Sequence, residues 1–279
     1  MSMSRKVTSG DTNIRKTRSR REFISDTVGG IAFLGVTGGG ILTKGAKENI
    51  SGKTDVKKLK IVVTGGHPGD PEYGCGGTIA KYTGMGHEVV LLYLNRGEAG
   101  IYGKSAKEAA NIRTAEAVQA CEILKARAVF ATQIDGQSVV DATRYKEFYE
   151  IMAEEQPDII FTQWPIDNHP DHRALSTLVY NAWIQLKESK SSGQPILYYY
   201  EVSNGEDTLM FSPTNYVDIT GQESPKQKAC FAHASQTPEK FYPLQEQVSR
   251  FRGLECGCKL AESFILHVQS HTGLILPNR

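Results

Sequence analysis

Leu59-Lys60-Ile61-Val62-Val63-Thr64-Gly65-Gly66-His67-Pro68-Gly69-Asp70 decides the fold. The apolar, β-branched run from Leu59 to Thr64 reads as a strand buried on both faces, the kind that parallel sheets contain. Gly65-Gly66 ends it, and a tight Pro-Gly turn follows. Further strand patterns occur at Glu88–Leu94, Ala128–Ala131, Asp158–Trp164 and Pro195–Val202. Between them, Gly76–Met85, Ala106–Leu124, Arg144–Glu155 and His172–Lys187 read as helices. This alternation predicts an α/β fold: a Rossmann-like, doubly wound, mainly parallel sheet in the order 3-2-1-4-5, with helices on both faces. Asp207–Thr220 reads as a strand pair or an irregular excursion, and Lys226–His267 as largely helical.

Function concentrates at the ends of two of these strands. His67-Pro68-Gly69-Asp70-Pro71-Glu72 follows the first, and His169-Pro170-Asp171-His172 follows the fourth. In an open sheet of the expected order those strands are neighbours where the order reverses, and ligands bind beyond their carboxyl ends. Two imidazoles and a carboxylate there make an open zinc site, with a position left for water. Each motif has a purely structural alternative: a strand-ending turn for the first, a capped helix start for the second. Their shared sheet edge argues against both alternatives.

Charge is unevenly distributed. Residues 1–44 carry eight Lys/Arg against three Asp/Glu, which leaves 24 basic and 28 acidic residues in the remainder. A mildly acidic body provides no basic face for nucleic acid. Ser19-Arg20-Arg21-Glu22-Phe23-Ile24 resembles the twin-arginine export motif and precedes a weakly apolar, glycine-softened stretch. Residues 1–44 are therefore expected to be an export signal, placing the protein in the periplasm or cell envelope. The alternative is a disordered basic leader on a cytoplasmic protein. No stretch makes a confident transmembrane span. Residues 45–279 are expected to form one domain. Five cysteines, an odd number, do not make a disulfide framework, and Cys256-Gly257-Cys258 is too tight for the usual zinc pair.

At these residues the chain resembles the PIG-L/LmbE-like family of zinc-dependent de-N-acetylases. The resemblance runs from about Lys57 to Phe264 and includes Arg96-Gly97-Glu98, Arg113-Thr114-Ala115-Glu116, Asp135-Gly136, the full His-Pro-Asp-His, Ala232-His233-Ala234-Ser235-Gln236 and Ala261-Glu262-Ser263-Phe264. It implies Zn2+, or another divalent metal, held by His67, Asp70 and His172. It implies an oxyanion-stabilising role for the protonated form of His169, with Asp171 also in the catalytic set. Arg113 and Asp135 would contact the sugar, and His233 would line the pocket. The structural alternatives are a helix-surface salt bridge from Arg113 to Glu116, a turn role for Asp135 and a capping role for His233. The implied substrate is an N-acetylated amino sugar or glycoconjugate, and a homo-oligomer is compatible with the family.

One position departs from the family pattern. The first motif usually reads His-Pro-Asp-Asp, and the first Asp of that pair serves as general base. Here Gly69 stands in its place. Glycine accepts no proton, and loss of a general base typically costs about 10²–10⁴ in rate. Asp171, Glu72 and Glu98 are the candidate replacements. The alternative is a low-activity or non-catalytic zinc- or sugar-binding protein on the same fold. A nucleotide-binding reading of Gly74-x-Gly76-Gly77 is weaker, because the full dinucleotide fingerprint is missing.

Overall fold

The computed structural model describes residues 57–189, 194–202, 207–270 and 277, so the leader at 1–44 lies outside the described residues. Its centre is β1 (Lys60–Gly65), which pairs in parallel with β2 (Glu88–Tyr93) on one side and β4 (Ile159–Gln163) on the other. β3 (Arg127–Phe130) extends the first side and β5 (Ile196–Tyr200) the second, both in parallel. This is the expected 3-2-1-4-5 core, reversing between β1 and β4.

Two further strands complete the sheet in the order β3-β2-β1-β4-β5-β7-β6. β6 (Asn215–Asp218) and β7 (Ala261–Leu266) are antiparallel to each other, and β7 runs antiparallel to β5. β7 corrects the helical reading of the C-terminal segment. Gly257 adopts φ 83 and caps the preceding helix, and the chain returns as a strand. A buried Glu262 hides the apolar pattern of that strand. Its carboxylate accepts the backbone N–H groups of Gly77 and Thr78 and pairs with Lys226 Nζ at 2.6 Å. Within Asp207–Thr220 the only regular strand is β6, beside an isolated bridge from Asp167 to Thr208.

Alternate residues of β1 feed two cores, as a pleated strand requires. Ile61 and Val63 face a cluster with Ile79, Tyr82, Leu91, Phe161 and Phe264. Val62 faces Leu92, Phe148, Ile160, Leu175, Val179 and Trp183 on the other side. The first cluster is covered by α1 (Asp70–Gly84), α2 (Ala106–Leu124) and α5 (Glu223–Ala232), the second by α3 (Ala142–Glu155) and α4 (Pro170–Glu188). α6 (Pro238–Cys256) precedes β7.

α1 begins six residues earlier than expected from the sequence, at Asp70, with Pro71 in its first turn where a missing N–H costs nothing. Its glycines serve packing. A Cβ at Gly74 would lie 2.4 Å from the Tyr200 ring, and one at Gly77 would lie 2.6 Å from Ile219. They let α1 press against the sheet, which removes the basis for the phosphate-binding reading. All five cysteines are free thiols. No helix among the described residues is long and apolar enough to cross a membrane.

Candidate metal centre

The turn after β1 and the start of α4 meet at the reversal point. His67 Nδ1 and His172 Nε2 each lie 3.3 Å from Asp70 Oδ2. All three side chains are buried or nearly so. Asp70 is aimed by the backbone N–H of His67 at 2.8 Å and by Gln163 Nε2 at 3.2 Å, both donating to Oδ2.

The remaining ring nitrogens are already taken. His67 Nε2 lies 3.2 Å from both Asp135 Oδ1 and Asp171 Oδ2. His172 Nδ1 lies 3.1 Å from Asp167 Oδ1. A ligand histidine in metalloenzymes gives its other N–H to a carboxylate in this way, which fixes ring and tautomer. Two imidazole nitrogens and a carboxylate oxygen are donor types that suit a divalent metal such as zinc, and the ligand atoms that all lie within 4.8 Å of one another are those of His67, His169 and His172 and those of His67, Asp135 and Asp171.

Electrostatics points the same way. Burial would lower the pKa of both histidines, but carboxylates override it. Asp135, Asp171 and Asp70 raise His67 well above its ordinary value, and Asp70 and Asp167 bring His172 to about 9. Burial would raise Asp70, yet His172 and His67 hold it well below the usual carboxylate range. Without a cation, the site needs protons where a metal would supply the charge.

Asp171, only 1% exposed, opens α4 and sits behind His67. Its Oδ2 also accepts from Asn95 Nδ2 at 3.1 Å and from the Gly136 N–H at 2.8 Å. Burial would raise its pKa, but His67 and the Gly136 N–H keep it depressed. His169 caps α4, its Nδ1 accepting the Asp171 N–H at 3.2 Å. That bond leaves the ring proton on Nε2. Burial and the charges of His67 and His172 lower the His169 pKa, which favours the neutral ring over the protonated form expected from the resemblance.

A diacetylchitobiose deacetylase of Thermococcus kodakarensis is 30% identical over 219 residues, 73% of this chain and 79% of that protein. The family model for PIG-L, GlcNAc-PI de-N-acetylase, matches residues 62–183. The chain belongs to the PIG-L family. Among solved structures, the N,N'-diacetylchitobiose deacetylase from Pyrococcus horikoshii in complex with an inhibitor has a TM-score of 0.69 and 26% identity, covering 78% of this chain and 90% of that one. A 4-carboxy-2-hydroxymuconate hydratase from Pseudomonas putida has the same TM-score at 22% identity, covering 78% and 99%. That likeness concerns fold alone, and one fold supports more than one chemistry.

In this PIG-L chain a cavity of about 490 Å³ opens over the cluster, lined among others by His67, Asp70, His169, His172, Asp135, Arg113 and Asp207. Arg113 turns inward from α2. Its Nη2 donates to the Pro68 carbonyl at 2.6 Å, and its Nε is buried without a hydrogen-bond partner among the described residues. Gly97 and Gly100 make room, since a Cβ at either would fall within 2.5 Å of the Arg113 side chain. Glu116 is bound elsewhere, to the N–H and Oγ of Ser235. Asp135 accepts the Ala99 N–H at 3.2 Å and reaches His67. His233 is fully buried beneath Gly69, with Nε2 3.0 Å from Glu72 Oε1, and it lines a second cavity.

None of the three candidate base carboxylates lines either cavity: Asp171, expected in the catalytic set, is held behind His67 by Asn95 and Gly136. Glu72 is bound by Tyr93 Oη and His233, and Glu98 Oε2 accepts the Arg96 and Asp135 N–H groups. Sequence reasoning missed Asp167, Gln163, Asn95 and Asp207. The first stands five residues before His172 and could have been sought as its orienting carboxylate. Asp207 carries no local signal, because it lies in an aperiodic stretch.

Proposed function

We propose that this protein is a metal-dependent hydrolase that removes the N-acetyl group from an N-acetylglucosamine-type sugar or conjugate. The observation that carries the reading is the convergence of His67, Asp70 and His172 at the base of a cavity walled by Asp135, Arg113 and Asp207. The diacetylchitobiose deacetylases related to the chain support the substrate class.

His67, Asp70 and His172 would hold the metal, zinc or another divalent ion. When bound, the ion supplies Lewis-acid polarisation of the amide carbonyl and acidifies water. The chain supplies the rest. Asp171 and Asp167 orient the two ligand histidines, and His169 donates Nε2–H to the developing oxyanion. Asp135 and the Arg113 guanidinium line the cavity and offer an acceptor and a donor to sugar hydroxyls.

Gly69 leaves the proton acceptor to another group, and we assign it to Asp207. Asp70, Asp135 and Asp207 are the carboxylates lining the larger cavity. Asp70 serves as ligand, and of the other two Asp207 also lines the second cavity, whereas Asp135 lines the larger one alone. Burial raises the Asp207 pKa; His172 opposes this, while the charges of Asp167 and Asp70 add to it. A base works best with its pKa moved toward the operating pH.

The test is acetate release from N-acetylglucosamine and N,N'-diacetylchitobiose by zinc-loaded protein beside His172→Ala. Stoichiometric metal with no acetate from any N-acetylated amino sugar would sink the hydrolase reading. Gly69 favours one second reading, a sugar-binding protein that holds metal without turnover. Binding of the same sugars without acetate release would establish it.

A further inference from the structure

Cys256-Gly257-Cys258 takes no part in the site described above, since neither thiol lines either cavity. It sits where α6 ends and the chain turns back toward β7. In a continued helix, side chains two residues apart point about 200° from each other. Gly257 breaks that pattern by adopting φ 83 and ψ 30, which glycine alone takes readily. A Cβ there would meet nothing within 4 Å, so the position calls for glycine through its backbone and not through crowding. The Gly257 and Cys258 N–H groups both donate to the Gly253 carbonyl, at 2.8 and 2.9 Å, and pin the reversal.

The reversal brings two sulfurs into contact. Cys256 Sγ and Cys258 Sγ lie 3.5 Å apart. That leaves them about 1.5 Å short of a disulfide bond length. Of the five cysteines, Cys256 is exposed and Cys258 half-buried, while Cys75, Cys121 and Cys230 are buried. Burial pushes those three thiols up, so they stay protonated and unreactive. Thiol chemistry with a solute therefore falls to this pair.

We propose that Cys256 and Cys258 form a dithiol exchange site that closes reversibly to an intrachain disulfide, with a small-molecule disulfide of the glutathione class as oxidant. The inference is independent of the hydrolase reading. Burial, Cys256 and Asp218 push the Cys258 thiol up to about 12, so the exposed Cys256 is the entering nucleophile. Its thiolate attacks the external disulfide, whose S–S bond breaks and releases one small thiol. Cys258 then gives its proton to water and attacks the Cys256 sulfur, releasing the second small thiol. Two protein thiols are oxidised, one external disulfide is reduced, and the two protons end on the released thiols. A small, exposed ring of this kind belongs to the easily reduced disulfides and not to the structural ones.

The test uses the full chain, reduced and then equilibrated in glutathione buffers of rising oxidised fraction, quenched, alkylated and digested with trypsin. Cleavage after Arg252 and Lys259 isolates both cysteines in one peptide, residues 253–259. That peptide should pass from two free thiols to an internal disulfide, two hydrogens lighter, and return on adding reduced glutathione. Cys258→Ser should accumulate a glutathione adduct on Cys256, whereas Cys256→Ser should keep Cys258 largely free. The same titration in urea should need a more oxidised buffer to close the ring, because the turn at Gly257 is lost there. A wild-type peptide that carries two glutathione adducts, or stays reduced throughout, would overturn the proposal. So would ring closure no easier in the folded protein than in urea.

Discussion

Replacing Asp207 with asparagine and then restoring a carboxylate at position 69 tests where the proton goes. Asp207→Asn keeps shape and removes basicity, so kcat should fall about 10²–10⁴-fold while bound zinc stays the same. Adding Gly69→Asp should recover much of that loss, and adding Gly69→Asn should not. The second substitution has a backbone cost that the structure sizes. Gly69 adopts φ 111 and ψ −36, a conformation side-chain-bearing residues rarely take. The strain is about 1–3 kcal/mol. That cost should lower Tm by about 2–4 °C per kcal/mol in a domain of this size. Asp and Asn share the strain, so their difference in acetate release isolates the base. Unchanged kcat in Asp207→Asn would refute its role. No difference between the Asp and Asn rescues, with both folded and zinc-loaded, would refute the reasoning about position 69.

Three other outcomes are expected. Metal binding should displace protons from His67 and His172, whose metal-free pKa values are raised, His172 to about 9. Affinity should therefore rise with pH below about 9, by up to about tenfold per unit for each proton released. Calorimetry in buffers of different ionisation enthalpy counts those protons, and a pH-independent affinity between 6 and 8 would contradict it. Lys226→Met strands the buried Glu262 carboxylate and should destabilise the fold by about 3–5 kcal/mol in chemical denaturation; a loss below about 1 kcal/mol would show that the pair is not needed. Fused to a reporter that tolerates folded export, residues 1–44 should carry it across the inner membrane. Arg20→Lys with Arg21→Lys should retain it in the cytoplasm, and export surviving that change would exclude twin-arginine recognition.

The parallel core was legible because β1, β2, β4 and β5 are apolar runs bounded by turn residues, a signal independent of distant partners. The two His-Pro motifs were legible because each follows such a run. What sequence reading missed depends on partners elsewhere in the chain. β7 carries a glutamate in its interior that makes sense only beside Lys226 and the N–H groups of α1. The first turns of α1 fell outside the expected helix, and Gly74 within them makes sense only with Tyr200 pressed against it. Arg113 belongs to a regular helix, but its inward turn depends on Gly97 and Gly100 in the loop that precedes it. Asp207 reaches the site from a segment with no period at all.

The single oxygen Oδ2 of Asp171 also governs how this edge of the molecule opens. It accepts from His67 after β1, from Asn95 after β2 and from Gly136 after β3, while its own residue begins the helix after β4. Four consecutive strand-end loops are therefore tied at one knot, and none can leave without loosening the others. Local opening follows shared contacts, so these loops should behave as one cooperative unit in hydrogen exchange. A metal on His67 tightens that unit from one side, and chelation should accelerate exchange in all four loops together. A metal held by His67, as proposed, would thus set the lifetime of the whole loop face, including segments that never touch the ion.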